Sequence, residues 1–441
     1  AYARHDDEAM ARVFSSMVAL LSGACVAFGL LGAVFVWQME NLLNIAPDLV
    51  FDAKVMMSLL VVSVSAQMWS LPLSTGYHVR QRFVELNLLK LGREVIRIVL
   101  ILAFFQVLGV AVLWVVLATV IAEITFVIVR TVRGMGLLPE LRYSSGLVEW
   151  SMMKDLMSFG SWTAVGKLGY LLFLNTGTIV LNLVGTPTEV SSYYIGSTLF
   201  RQMQMMIQTA LQPLQPAVVS ITAIEDWDNL RRWSSRAGRY ALWAAMAVAA
   251  PFAIFAEEFV QLYAGPDYMS AAWVILAFMM VYPFTQPVML LPSIAVGLAK
   301  VREFFLAAFL FQLSGLLGVM FFVQFFERAD VVIAVTLALV IVVSQLGYFW
   351  RLFIRLTDTP FDAFLRDVLV PGLAPAAAAA MAWIALKEWQ PAETWPQLAA
   401  LVVAGGVVYL AVLGLLCLRE DDRATLVAGI RAMRRKFAAP A

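Results

Sequence analysis

Twelve long apolar segments run through this chain, and a backbone in lipid has few ways to satisfy its hydrogen bonds. Only helices and closed barrels do so. Runs of about 20 residues have the length of helices that cross a bilayer. They cover residues 13–37, 51–76, 95–109, 110–129, 156–183, 191–214, 240–259, 271–298, 304–326, 331–353, 368–386 and 398–418. The expected fold is an all-α polytopic membrane protein. The chain is 62% hydrophobic and 14% charged, with a mean hydropathy of +0.83. That is far above a soluble domain's composition. A net charge of +1 gives no footprint for nucleic acid.

The loops test the helix count. If the residues before 13 are cytoplasmic, every second loop should carry the arginines and lysines. Those loops, the N-terminal stretch with Arg4 and Arg12, and the C-terminal tail hold 26 of the 31 basic residues, among them Arg80 to Arg97, Arg130 to Lys154 and Arg231 to Arg239. The opposite loops carry Glu40, Glu189, Glu257, Glu258, Asp267 and Glu393. Lys54, Arg328 and Lys387 are mild exceptions. The expectation is a multi-pass protein of the bacterial inner membrane with both termini cytoplasmic.

A long polar loop, 130–156, divides the spans. It holds an amphipathic stretch, 147–153, expected to lie on the membrane surface. Six spans follow, then a second basic loop, then two more. The expected domains are an N-terminal bundle, 1–133, a C-terminal six-helix bundle, 134–355, and two added helices with a basic tail, 356–441. Transporters are often built of repeated bundles. Two pseudo-symmetric six-helix bundles would need one more hairpin ahead of Ala1, and that hairpin is expected in the native protein.

Two cations sit inside spans. Arg201 belongs to a polar stripe on 191–214 with Ser197, Gln204, Gln208, Gln212 and Gln215, at helical spacings that confine the stripe to one face. Lys167 lies on 156–183 with Thr163, Thr178 and Asn182. Both fall near mid-depth, and antiparallel neighbours could bring them close. A cation at mid-bilayer costs roughly 2.5–3.5 kcal/mol on insertion scales and usually faces a polar cavity. Two basic groups there would hold an anion. The competing reading of the stripe is a satisfied helix interface, since Gln and Ser bond membrane helices together. In the first bundle Ser63, Gln67, Ser70 and Ser74 form a second stripe. Glu123, in mid-span, is either a coupling-ion site or the partner of an arginine, for which the expected hairpin is one source. Pro283, Pro287 and Pro292 should kink or bend the span 271–298.

No catalytic constellation, nucleotide motif or cofactor motif is present, so no enzyme activity is expected. His5 and His78 stand alone, and no metal site is inferred. Cys25 and Cys417 fall in apolar segments and read as small core residues.

Three stretches carry a resemblance. They are Gln212-Pro213-Leu214-Gln215-Pro216-Ala217-Val218-Val219-Ser220 with Asp228-Asn229-Leu230, then Leu262 to Ala272 around Gly265 and Tyr268, and Val190 to Tyr194. In order and spacing the chain resembles the polysaccharide flippase branch of the multidrug/oligosaccharidyl-lipid/polysaccharide exporter superfamily, over essentially its whole length. The resemblance implies helices 3 to 14 of a 14-helix plan, alternating access, and an undecaprenyl-diphosphate-linked oligosaccharide as substrate. It implies that Arg201 and Lys167 bind the diphosphate. Gln204, Gln208, Gln212, Ser63 and Gln67 would line the same path. Asn175 stands where many members have Asp and is given no ion role. The implied partners are the lipid-linked oligosaccharide, membrane lipids, and glycosyltransferases and a polymerase of the same pathway. The last two spans are expected to form an apolar groove for the lipid tail. The rivals are a multidrug or cation antiporter of the same fold and a membrane-embedded glycan polymerase or ligase. The first would prefer acids in the cavity, and the second a large outer loop.

Overall fold

The computed structural model describes residues 7–42, 49–138, 143–211, 214–224, 226–418 and 422. Among them there are helices and no strands. Twelve long helices stand where twelve were expected. They are α1 (Asp7–Leu42), α2 (Val50–Ser70), α3 (Phe83–Leu108), α4 (Val112–Leu137), α5 (Trp150–Val184) and α6 (Pro187–Leu211). They continue as α7 (Trp227–Ile254), α8 (Ser270–Gly297), α9 (Val301–Phe322), α10 (Ala329–Thr357), α11 (Phe361–Trp389) and α12 (Trp395–Cys417). Ten are long and apolar enough to cross a membrane. The other two, α3 and α6, are long enough but carry several charged or polar residues.

Several expected boundaries move, each for a visible reason. Arg93 and Arg97 belong to α3 and not to a loop, because the helix starts at Phe83, about twelve residues ahead of its apolar run. The span expected to reach residue 76 stops at Ser70, since Pro72 opens a 3-10 turn. The stretch 147–153 runs from the end of a 3-10 turn, Ser145–Leu147, into the start of α5. Its backbone is held to α1, where the Ser144 and Glu149 amides donate to the Ser15 and Ser16 hydroxyls at 3.1 and 3.2 Å. From Trp150 onward it is the first turn of α5. The three prolines do more than bend α8. They divide it into Ser270–Met279, Tyr282–Thr285, a 3-10 turn and Leu291–Gly297.

The chain divides into two compact units, Ala1–Gly160 and Ser161–Ala441. In lipid, apolar faces gain little by meeting each other, so small residues and hydrogen bonds must hold helices together. In the first unit α4 packs against α2 and α3. Gly134 lets α4 approach the turn after α2 so closely that a Cβ would lie 2.8 Å from the Leu73 carbonyl oxygen. In the second unit α6, α8 and α10 form the main core, with Phe200 stacked on Phe278 at 4.8 Å. α11 and α12 pack on α7. The Trp243 indole donates to the Pro371 carbonyl, and the Tyr409 hydroxyl to the Trp243 carbonyl, both at 2.8 Å.

Within each unit the polar ends pair as the charge alternation requires. Arg133 meets Glu85 at 3.0 Å, and Arg12 meets Glu149 at 3.5 Å. Both pairs join ends assigned to one side. Among the ends expected on the other side, Lys54 pairs with Glu40 in the first unit, and Lys387 with Glu258 at 3.0 Å in the second. Two of the three charge exceptions are thus neutralised where they stand.

Candidate functional site

The stripe on α6 runs along the edge of that helix's buried face. Tyr193, Gly196, Phe200 and Met203 turn into the core. Ser197 is buried beside them, Arg201 and Gln204 are half-buried, and Gln208 is exposed. The edge faces α5. Arg201 Nη2 donates to the Leu174 carbonyl at 3.2 Å, and Gln208 Nε2 to the Tyr170 hydroxyl at 3.4 Å. Gly177 permits this approach, since a Cβ there would lie 2.1 Å from the Tyr193 ring.

The same register separates the two cations. Arg201 lies opposite Leu174, and Lys167 is seven residues earlier on α5, so roughly 10 Å separates them along the helix axis. They do not meet. Lys167 is exposed and has no partner among the described residues. Neither cation meets a carboxylate among those residues. Gln212 lies outside them.

A cavity of about 250 Å3 opens inside the second unit, between α5, α6, α8, α9 and α10. Its polar lining is Tyr170, Gln204, Thr285, Gln312, Ser344 and Gln345, and phenylalanines supply much of the rest. Of the described residues singled out for the site in this unit, Gln204 alone lines it. Two buried amide oxygens, Gln312 Oε1 and Gln345 Oε1, have no partner among the described residues. Gln345 opens a five-residue π-helical turn, Gln345–Phe349. Such turns recur at functional sites because they displace one side chain from the helical ladder. Sequence reasoning passed over Tyr170, Gln312 and Gln345. Their signal was a single polar side chain inside an apolar run.

An apolar groove of about 260 Å3 lies between α7, α8 and α11, with Met246, Ala249, Met279, Pro283, Ala376 and Ala380 among its walls. Of the last two spans, expected to form a tail groove together, α11 lines this groove with α7 and α8.

In the first unit Glu123 is buried, and its Oε2 accepts from Arg93 Nη1 at 2.9 Å. The arginine partner comes from α3, not from an additional hairpin. Arg93 also binds Glu94, which in turn meets Arg97 at 2.7 Å. Arg93 and Arg130 both lie against the Phe126 ring, at 5.4 and 5.1 Å from its centre. Arg130 donates to the Ser70 hydroxyl, so the α2 stripe serves the α2–α4 interface at that turn. Ser63 is buried and Gln67 half-buried on the same helix.

No protein-family model matches the chain, and no curated protein matches it by sequence. Solved structures do match in fold. The Vibrio cholerae MATE transporter VcmN in its bent form superposes with a TM-score of 0.62 at 12% identity, over 81% of this chain and 86% of that one. The lipid II flippase MurJ in an inward closed conformation gives 0.60 at 13% identity, over 93% and 84%. A second MATE structure in the bent conformation gives 0.62 at 13% identity, over 80% and 84%. The chain is a multi-pass membrane protein with the polytopic helical fold these transporters and this flippase share.

Proposed function

We propose that this chain is a flippase that moves an undecaprenyl-diphosphate-linked oligosaccharide across the bacterial inner membrane by alternating access. One observation carries the reading: Arg201 and Lys167 stand in adjacent helices with no carboxylate to neutralise either among the described residues. A diphosphate supplies the missing charge, and arginine binds phosphate through two parallel hydrogen bonds. A separation of roughly 10 Å suits an extended anion better than a single ion caught between two cations. The amide, hydroxyl and phenyl lining of the nearby cavity offers donors and acceptors without net charge, which suits hydroxyl groups of a glycan. The groove of α7, α8 and α11 would take the lipid tail. Glu123 is the coupling candidate, because it is a buried in-span carboxylate that ties α4 to α3 through Arg93. Glycosyltransferases and a polymerase are the protein partners this role calls for, and the chain itself performs no catalytic step.

The fold is also that of MATE transporters, but an antiporter of cations calls for an available carboxylate where this chain puts Arg201 and Lys167. Export of the glycan in cells tests the choice. Arg201→Ala and Lys167→Ala should each reduce export sharply at normal protein abundance, since losing an in-span cation does not impair insertion. Arg201→Lys should keep part of the activity, because charge remains while the planar fork is lost. Full export from the double alanine variant would overturn the proposal.

A further inference from the structure

The N-terminal half of α7 and the first turns of α11 are charged, and both helices turn apolar beyond Arg239 and Asp367. Between these charged ends lies a pocket of about 520 Å3. Five arginines line it, Arg231, Arg232, Arg236 and Arg239 from α7 and Arg366 from α11. Among the described residues, two aspartates in the lining, Asp367 and Asp422, oppose them. Trp233 is exposed at its rim, and Trp227, exposed at the start of α7, is the kind of aromatic that sits at headgroup level.

The floor of the pocket is built. Arg239 is only 2% exposed. Its Nη1 donates to the Asp367 carbonyl at 2.9 Å, and its Nη2 reaches both oxygens of Asp422 at 2.9 and 2.7 Å. The Tyr240 hydroxyl donates to the same carboxylate, and Arg236 Nε lies 3.5 Å from it. Arg239 Nε has no partner among the described residues, although it is buried. A fully buried carboxylate therefore sits in a nest of donors fit for a tetrahedral oxyanion, and one donor is left over. Asp422 is distant in sequence from both helices and reaches the nest from beyond the last span.

We propose that this pocket binds the phosphate of an anionic phospholipid headgroup, and that the Asp422 carboxylate is its internal competitor. The depth decides for a lipid over a soluble anion. The arginines stand where the helices enter the apolar layer, and basic pockets between helices at that level are fitted to lipid headgroups. The inference does not depend on which molecule the protein carries.

The test is a titration of the purified full chain in neutral detergent with dioctanoyl phosphatidylglycerol, dioctanoyl phosphatidylcholine and inorganic phosphate, followed by native mass spectrometry. Phosphatidylglycerol should bind saturably, ahead of the other two. Arg232→Gln and Arg366→Gln should each weaken it by about fivefold, the size expected for one arginine at a membrane surface. Both side chains are exposed, so both variants should keep the wild-type unfolding midpoint. Asp422→Asn, which keeps the shape and removes the competing charge, should tighten binding. Equal binding of phosphatidylcholine, affinity indifferent to Arg232 and Arg366, or no gain from Asp422→Asn would overturn the proposal. Inorganic phosphate binding as tightly as phosphatidylglycerol would overturn the assignment to a lipid.

Discussion

Arg93 and Glu123 stand where a helix in lipid tolerates charge only if it is paired. Removing one partner strands the other, whereas removing both leaves no orphan. Arg93→Ala should lower stability by about 1–3 kcal/mol, the smaller side of such losses because Arg93 keeps 30% of its side chain exposed. The double variant Arg93→Ala/Glu123→Ala should recover part of that loss, read as unfolding midpoints in detergent. A single variant as stable as the wild type would deny the pair a structural role. At Glu189, ahead of the apolar part of α6, the carboxylate closes a capping box with Thr186 and also accepts the Ala329 amide at 2.9 Å. Burial alone would raise its pKa, but the bonds from Thr186 and Ala329 outweigh burial and hold it below the ordinary 4.5. The folded form therefore gives up its proton more readily than the unfolded form. The stabilisation is complete above that ordinary value and fades as pH falls through the lowered one. Acid titration of the unfolding midpoint below pH 4.5 should show this fall in the wild type and lose it in Glu189→Gln. The sequence made Glu123 conspicuous but hid its partner, because Arg93 precedes the apolar run and so reads as loop. Arg201 and Lys167 were equally plain, yet their spacing depends on how α5 and α6 are registered. Registry is fixed by Gly177 against Tyr193, a contact that no periodicity announces.

Helix positions were legible because each span is a run of about 20 apolar residues and lipid leaves the backbone no other option. The breaks at Pro72 and within α8 follow from proline's missing N–H. What was not legible is how helices meet. Gln312 and Gln345 come from α9 and α10, and nothing in either helix alone says that both face Gln204. The pairing of α11 with α12 makes the same point and can be tested. A Cβ on Gly405 would lie 2.1 Å from the Trp383 indole nitrogen, while one on the adjacent Gly406 meets nothing within 4 Å. Gly405→Ala should destabilise by about 1–3 kcal/mol through overpacking. Gly406→Ala should be neutral or stabilising by up to about 1 kcal/mol, the helix preference of Ala over Gly. Equal midpoints for the two variants would contradict the packing of α12 on α11.

Across the whole molecule the arginine bias gives a direction. The Arg231–Arg239 end of α7 should be cytoplasmic and the turn at Pro266–Tyr268 external. Asp267 and Arg232 are both exposed, so each can report as a cysteine. With Cys25 and Cys417 replaced, an impermeant thiol reagent should label Asp267→Cys in spheroplasts and leave Arg232→Cys unlabelled until the membrane is opened. The reverse pattern would invert the topology and place the proposed headgroup pocket in the other leaflet. The fold is shared by MATE transporters and a lipid flippase, so the proposed anionic lipid substrate rests on the sign of the charge in α5 and α6. Reconstitution into liposomes bearing a fluorescent undecaprenyl-diphosphate oligosaccharide, read by loss of outer-leaflet glycan to an impermeant glycosidase, puts that to the test. The wild type should move the glycan between leaflets. The Arg201→Ala/Lys167→Ala variant, inserted to the same level, should move it no faster than empty liposomes. Equal translocation by the two proteins, or none by the wild type alongside transport of a cationic dye, would contradict the proposal.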